Sequence, residues 1–288
     1  MIVIIGATGT IGNALLTQLV QSNTPVRAIS RETEKLKTQL GKVNQADIEV
    51  AQADASDIHS LHCALQGADQ LFVAMSNSPL QVELESNVIR TAAEVGIEHI
   101  VKISSPEYRQ HTPVEVARWH QEIEQIIHDS NMLHTILRPY AFMQNLLRMK
   151  GSISKQNAFY GSMGDAVCNF IDCRDIAAVA AVALTNREKA GRTYTLTGSE
   201  LFNYEQIAAK FTTLLGRAVR YIDLDRETHL RNLMEYEQMP AWLANHVVEI
   251  QAMSAAIPEQ PTRTVANLLG QEPRTLDAFL QEHIGLFR

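Results

Sequence analysis

Short apolar runs alternate with segments of helical period from the first residues of this chain. Ile2, Val3, Ile4 and Ile5 form an unbroken apolar run, as expected of a strand covered on both faces, and Ile11, Leu15, Leu16, Leu19 and Val20 follow at the spacing of a helix stripe. The alternation then repeats. Residues 26–31, 48–51, 70–74, 100–104 and 133–137 read as further strands. Between them, 57–66, 83–95 (stopped by Gly96) and 113–129 (opened by Pro113) read as helices. Strands joined through helix-length crossovers pair in parallel, so the pattern predicts an α/β fold built on a doubly wound parallel sheet of Rossmann type.

Beyond Arg138 and Pro139 the alternation loosens. Residues 151–165, rich in Gly, Ser, Asn and Lys, read as an irregular excursion; 172–184 returns as helix, 193–197 as strand, 204–214 as helix and 219–223 as a short strand. The remainder, punctuated by Pro240, Pro258, Pro261 and Pro273, reads as short helices. The expected organisation is a dinucleotide-binding domain over 1–150, rejoined by 168–198, and a small, discontinuous C-terminal α+β lobe from 151–167 and 199–288 that carries the substrate.

The turn out of the first strand carries the first chemistry. Gly6, Gly9 and Gly12 stand in a G-x-x-G-x-x-G spacing with Ala7, Thr8, Thr10 and Ile11 between them. In such a turn the first glycine lets the chain leave the strand tightly, the second lets backbone approach a pyrophosphate, and the third lets the helix pack close to the sheet. The helix N-terminus adds free amides and positive potential. At the end of the second strand, where an NAD site normally places an acid for the ribose, stand Ser30 and Arg31, followed by Lys35. A guanidinium fork suits a 2′-phosphate, and serine avoids the repulsion of a carboxylate, so NADP(H) is expected ahead of NAD(H). Ligands in such sheets gather at the C-terminal ends of the strands, which adds Asp54, Ala74, Met75, Ser104 and Pro139 to the candidate cofactor residues. Asp54 has two readings: it accepts from an adenine amino group, or it closes the turn before Asp57.

Composition narrows the class. With 288 residues, 45% of them hydrophobic and 20% charged, the chain has material for one large or two modest cores. No apolar run approaches the roughly 20 residues of a membrane helix, and a strand starting directly after Met1 leaves no place for a signal peptide, so a cytoplasmic protein without membrane contact is expected. A net charge of −7 with no basic patch beyond Arg31 and Lys35 argues against nucleic acid as a direct ligand. Cys63, Cys168 and Cys173 match neither a disulfide framework nor a zinc site, and are expected to be buried thiols with no metal.

Taken in order, several short motifs resemble the NmrA-like group of atypical short-chain dehydrogenases/reductases over nearly the whole chain. They are the glycine turn at 6–12, Ser30 with Arg31, Ile103 with Ser104 and Ser105, Leu137, Arg138 and Pro139 with Asn145, the run from Phe170 to Ala177, and that from Thr193 to Gly198. The resemblance implies an NAD(P)-binding Rossmann domain, usually for NADP(H), with a small lobe over a cleft. It implies either a reductase of quinones, dyes or other conjugated small molecules, or a protein that binds the dinucleotide to sense redox state and acts through a protein partner. A nucleotide-sugar epimerase or reductase is a third reading.

The chain departs from the Tyr-x-x-x-Lys pair of the wider superfamily, since Tyr108 is followed four residues later by Thr112, and 113–129 holds neither Tyr nor Lys. That departure speaks against a phenol proton relay and against the epimerase reading. His120 resembles the histidine that some family reductases place beside the nicotinamide; the alternative is an exposed helix histidine. Ser104, His120 and Tyr140 are therefore the candidate catalytic residues, with Ser104 expected to donate a hydrogen bond, and Phe142 and Asn145 the candidate substrate contacts. Core packing is the competing reading for Tyr140, Phe142 and Met143. Lys102, the polar residue in an apolar strand, is expected to reach the cleft or to snorkel to the sheet end. Glu122 and Glu124 are expected to be solvated, and Arg138 to be a structural ion-pair partner.

Overall fold

The computed structural model describes residues 1–41, 48–106, 112, 114–257 and 259–288. Tyr108, Pro113 and Pro258 lie outside the described residues. The chain starts with β1 (Ile2–Ile5), α1 (Thr10–Gln21), β2 (Val26–Ser30), α2 (Thr33–Leu40), β3 (Ile48–Gln52), α3 (Ile58–Leu65), β4 (Gln70–Val73), α4 (Gln81–Glu94), β5 (His99–Ile103), α5 (Glu115–Asp129) and β6 (Leu133–Pro139). It continues through β7 (Ala141–Phe142), α6 (Lys150–Gln156), β8 (Ala158–Gly161) and β9 (Cys168–Ile171), then α7 (Cys173–Thr185) and β10 (Thr193–Leu196). Last come β11 (Leu201–Phe202), α8 (Tyr204–Leu215), β12 (Arg220–Asp223), α9 (Arg226–Glu235), α10 (Ala241–Ala256), α11 (Thr264–Leu269) and α12 (Leu276–His283).

These elements form two compact units. The first comprises Met1–Tyr108, Val116–Pro139 and Cys173–Leu196; the second Arg109–Glu115, Tyr140–Asp172 and Thr197–Arg288. In the first, seven strands lie in the order β10-β6-β5-β4-β1-β2-β3, every pair parallel. The winding reverses between β1 and β4, and at such a switch point the two following loops diverge to open a crevice for ligands.

The buried residues explain why the apolar runs became strands. Val3 and Ile5 of β1, Leu71 and Val73 of β4, Ile100 of β5 and Ile136 of β6 pack with Leu61 and Leu65 of α3, Val88, Ile89 and Ala92 of α4, and Ile123 and Ile127 of α5. Helices α1 and α7 pack on each other. Asp57 caps α3 by accepting from the amides of His59 and Ser60, at 3.0 and 3.3 Å. No helix among the described residues is long and apolar enough to cross a membrane.

In the second unit β7, β9 and β11 form a small sheet in the order β11-β9-β7, while β8 pairs in parallel with β12. The segment expected to be irregular, 151–165, instead contains α6 and β8. Phe159 of β8 is fully buried in a core with Tyr204, Phe211, Tyr221, Phe279 and Phe287, with neighbouring rings tilted or edge-on at centroid spacings such as 5.7 Å for Phe159 and Tyr204. Cys63 also differs from expectation, since it is exposed, whereas Cys168 and Cys173 are buried.

At the start of β5, His99 is buried, with Nδ1 3.0 Å from Gln70 Oε1 and Nε2 2.9 Å from Thr135 Oγ1. Burial, with smaller effects of His134 and Arg187, lowers its pKa from 6.5 to about 4. Because the folded value lies below the unfolded one, the stability tied to neutral His99 is complete above 6.5 and is lost as pH falls through about 4. Thermal unfolding of His99→Gln should therefore decline less steeply than the parent over that interval; identical slopes would rule out this assignment.

Candidate cofactor and active site

Gly6, Gly9 and Gly12 close a turn at the sheet's switch point with no room for side chains at two of the three positions. Gly6 has φ +91°, and a Cβ there would stand 2.1 Å from the carbonyl oxygen of Ala74, which follows β4. A Cβ on Gly12 would stand 2.1 Å from the carbonyl oxygen of Gly6. The turn is held by the Gly9 amide donating to Gly6 O at 2.9 Å and the Asn13 amide donating to Gly9 O at 2.9 Å. Gly9 is the N-cap of α1, no side chain caps it, and the first turn holds no acid. The amides of Thr10, Ile11 and Gly12 thus face forward at the positive end of the helix, the arrangement that accepts a phosphate. A dinucleotide pyrophosphate fits this cradle, whose tightness comes from backbone against backbone.

At the end of β2, Ser30 Oγ receives the Glu32 amide at 3.1 Å, and the half-buried serine so closes its own turn. Arg31 is exposed. It forms no salt bridge among the described residues, but its charge helps to lower the pKa of Asp54, behind the larger effect of hydrogen bonds from Ser56. Asp54 Oδ1 receives the Ser56 amide at 2.8 Å and hydroxyl at 2.7 Å, which engages that oxygen in the turn. The Ala74 amide extends the β1–β4 pairing by donating to Ile5 O at 3.1 Å, and Met75 packs against the core beneath α3 and α4. The switch point thus brings Gly6 and Ala74 together, and Arg31 lies within electrostatic reach of Asp54.

At the C-terminal ends of β5 and β6 lies a buried polar layer that the sequence reading missed. Lys102 was expected at the cleft or the sheet end; instead its side chain is only 1% exposed, and Nζ lies 3.0 Å from Oε2 of Glu85, itself fully buried on α4. Gln81 Nε2 donates to the other oxygen, Glu85 Oε1, at 3.0 Å. Burial pushes the Glu85 carboxyl upward, against the opposing pull of the Lys102 ammonium. Lys102 Nζ also donates to Ile103 O and lies 3.4 Å from His120 Nδ1. His120 is therefore buried rather than exposed.

One turn farther along α5, Glu124 is mostly buried rather than solvated, while Glu122 is exposed. Arg138 grips Glu124 in a fork, Nε to Oε1 at 3.1 Å and Nη2 to Oε2 at 2.5 Å. Ser104 Oγ donates to Glu124 Oε1 at 2.5 Å. Its single hydroxyl proton thus goes to a carboxylate, and lone pairs are what it offers elsewhere. Arg138 is the ion-pair partner it was expected to be. Pro139, buried, ends β6 opposite Leu196 of β10.

Tyr140, Phe142 and Asn145 belong to the second unit. Tyr140 and Phe142 are half-buried, Asn145 is exposed, and Met143 lies in that unit's core. Burial, and less strongly Glu259, raises the Tyr140 phenol, which keeps it protonated as a donor. Glu259 is itself raised by burial, and accepts from the Asn169 amide at 2.5 Å and the Ser254 hydroxyl at 3.0 Å. No cluster of His, Cys, Asp and Glu that could hold a metal occurs among the described residues.

A glycine cradle at the switch point of a parallel sheet defines a dinucleotide-binding protein of the Rossmann class. The chain belongs to the NmrA-like family, whose model it matches over residues 1–280. It is 31% identical over 290 residues to the NAD(P)H azoreductase of Xenophilus azovorans, covering 100% of this chain and 99% of that protein. It is 27% identical over 281 residues to quinone oxidoreductase 2 of Escherichia coli, covering 96% of each. The crystal structure of the NADPH-dependent quinone oxidoreductase from Escherichia coli in complex with NADPH matches with a TM-score of 0.89 and 26% identity, over 99% of this chain and 100% of that one.

Proposed function

We propose that this protein is an NADPH-dependent oxidoreductase that reduces a quinone, a dye or another conjugated small molecule by hydride transfer. The observation that carries the proposal is the glycine cradle, whose Gly6 and Gly12 leave space for nothing larger than hydrogen beside the forward-facing amides of α1. Relatives matched end to end that bear the names azoreductase and quinone oxidoreductase support the same reading. They favour an enzyme over a sensor that acts through a protein partner.

The chain's own residues have separable tasks. The amides of Thr10, Ile11 and Gly12 bind pyrophosphate, with Thr8 beside them, and Arg31 holds the 2′-phosphate while Ser30 keeps a carboxylate away from it. Bound NADPH supplies the hydride. A conjugated acceptor spreads the incoming charge, so it needs placement more than acid catalysis, which fits a chain without the Tyr-x-x-x-Lys pair. Ser104, aimed by the Glu124–Arg138 pair, accepts a hydrogen bond from the bound ligand, and His120 offers an N–H donor to the acceptor.

Steady-state oxidation of NADPH against a panel of quinones and azo dyes tests the proposal. Acceptor-dependent oxidation is expected, and tight NADPH binding without turnover of any acceptor would reject it in favour of the sensor. Cofactor preference is checked by calorimetry on Arg31→Ala. Loss of a charge-assisted contact worth about 1.5–3 kcal/mol should weaken NADPH binding roughly ten- to a hundredfold and leave NADH nearly unchanged. Equal losses for the two would refute the role of Arg31.

A further inference from the structure

The buried Lys102 pairs with Glu85 and lies against His120, and its ammonium constrains that histidine. An ammonium carries three protons and no lone pair. Around Nζ stand three acceptors: Glu85 Oε2 at 3.0 Å, the carbonyl oxygen of Ile103, and His120 Nδ1 at 3.4 Å. Because the ammonium has no lone pair to receive a proton, the Nζ–Nδ1 contact is a hydrogen bond only if Nδ1 presents its lone pair. A proton on Nδ1 would set donor against donor beside a group with no access to water, where an unmatched polar atom is most costly.

We propose that Lys102, anchored by Glu85 and through it by Gln81, is a positioning residue that holds His120 as the Nε2–H tautomer. Nε2 then carries the ring's one proton and is a donor toward any acceptor it meets. That suits an imidazole asked to stabilise an oxygen or nitrogen gaining negative charge, with no proton transfer of its own. The arrangement also fixes where the ring stands. Lys102 is tied to β5 by its own strand and by the Ile103 carbonyl, Glu85 is tied to α4, and the imidazole of α5 meets the pair that joins them. Glu124 and Arg138 form their own fork one turn farther along α5.

The tautomer follows from the first unit alone, whereas its use in catalysis rests on the reductase reading above. Proton–nitrogen correlation NMR of the full chain labelled with 15N-histidine reads it directly, with His120→Gln used to assign that residue among the chain's 10 histidines. The expected spectrum at neutral pH has Nδ1 of His120 at an unprotonated, pyridine-type shift and Nε2 at a protonated, pyrrole-type shift. A protonated Nδ1, or shifts averaged between tautomers, would overturn the proposal.

The neutral pair Lys102→Met with Glu85→Gln removes both charges together and so spares the fold an isolated buried carboxylate. In it the His120 shifts should move to averaged values, and kcat should fall by up to about a hundredfold with KM for NADPH little changed, as expected for a misplaced catalytic group. An unchanged Nε2–H signature in that variant would show that Lys102 does not set the tautomer. Absence of turnover in the parent would remove the reductase reading and leave the NMR result standing, so the two failures are distinguishable.

Discussion

Lys102→Met alone is expected to destabilise the protein by about 3–5 kcal/mol, because it leaves the Glu85 carboxylate in the core with no counter-charge. Glu85 is fully buried on α4 and has no route to solvent from there. Gln81 donates one hydrogen bond, which does not replace an ammonium at 3.0 Å. Pairing the change with Glu85→Gln should recover most of the loss, since a neutral amide beside a thioether chain has far less to desolvate. The sign with pH follows from burial, which already raises the Glu85 pKa. Without Lys102 the folded value rises further above the unfolded one. The penalty of the single variant is then greatest at neutral and higher pH and shrinks as acid protonates the carboxyl. Urea unfolding of the two variants measures this; a single variant as stable as the parent, or a double variant no better than the single, would contradict the account.

Gly6→Ala is expected to lose both stability and cofactor. Its φ of +91° strains any L side chain, and its Cβ would stand 2.1 Å from a backbone oxygen that has no rotamer by which to yield. The positive φ costs about 1–2 kcal/mol and the overlap about 1–3 kcal/mol more, unless β1 and β4 move apart and open the cradle. Either response should abolish NADPH binding by calorimetry. Gly151→Ala is the control: it lies in α6 with nothing within 4 Å of its Cβ position, and should gain about 0.5–1 kcal/mol from lower chain entropy. NADPH affinity retained in Gly6→Ala would show that the cradle tolerates a side chain and is not a phosphate site.

The first six strands were legible because each lies in a parallel sheet with helices over it, so local apolar runs carried the information that the fold uses. The second unit was less legible. Strand β8 owes its existence to β12, which lies far along the chain, and to Phe159 in an aromatic core, and nothing in residues 151–165 alone announces either. Strands β7 and β11 have two residues each, too few to show a period.

The buried polar layer was hidden for a different reason. Lys102 reads as a single charge in an apolar strand, while its partner sits on another element. The signal was nevertheless there: Glu85 falls three and four residues before Val88 and Ile89, on the same buried stripe of α4, and His120 stands four residues after Val116 and seven before Ile127 on that of α5. A base in an apolar strand and an acid on an apolar helix stripe are best read as a pair. Glu124 shows the limit of that rule, because it lies at the edge of the α5 stripe and is drawn inward by Arg138 and Ser104.

Hydride transfer from a cofactor held by the glycine cradle is read by single-turnover mixing of the NADPH-loaded protein with a quinone. Rapid oxidation of the bound NADPH is expected, slower when the transferable hydrogen of the cofactor is replaced by deuterium, and lost in Gly6→Ala. Bound NADPH that stays reduced in the presence of quinones and azo dyes alike would contradict it.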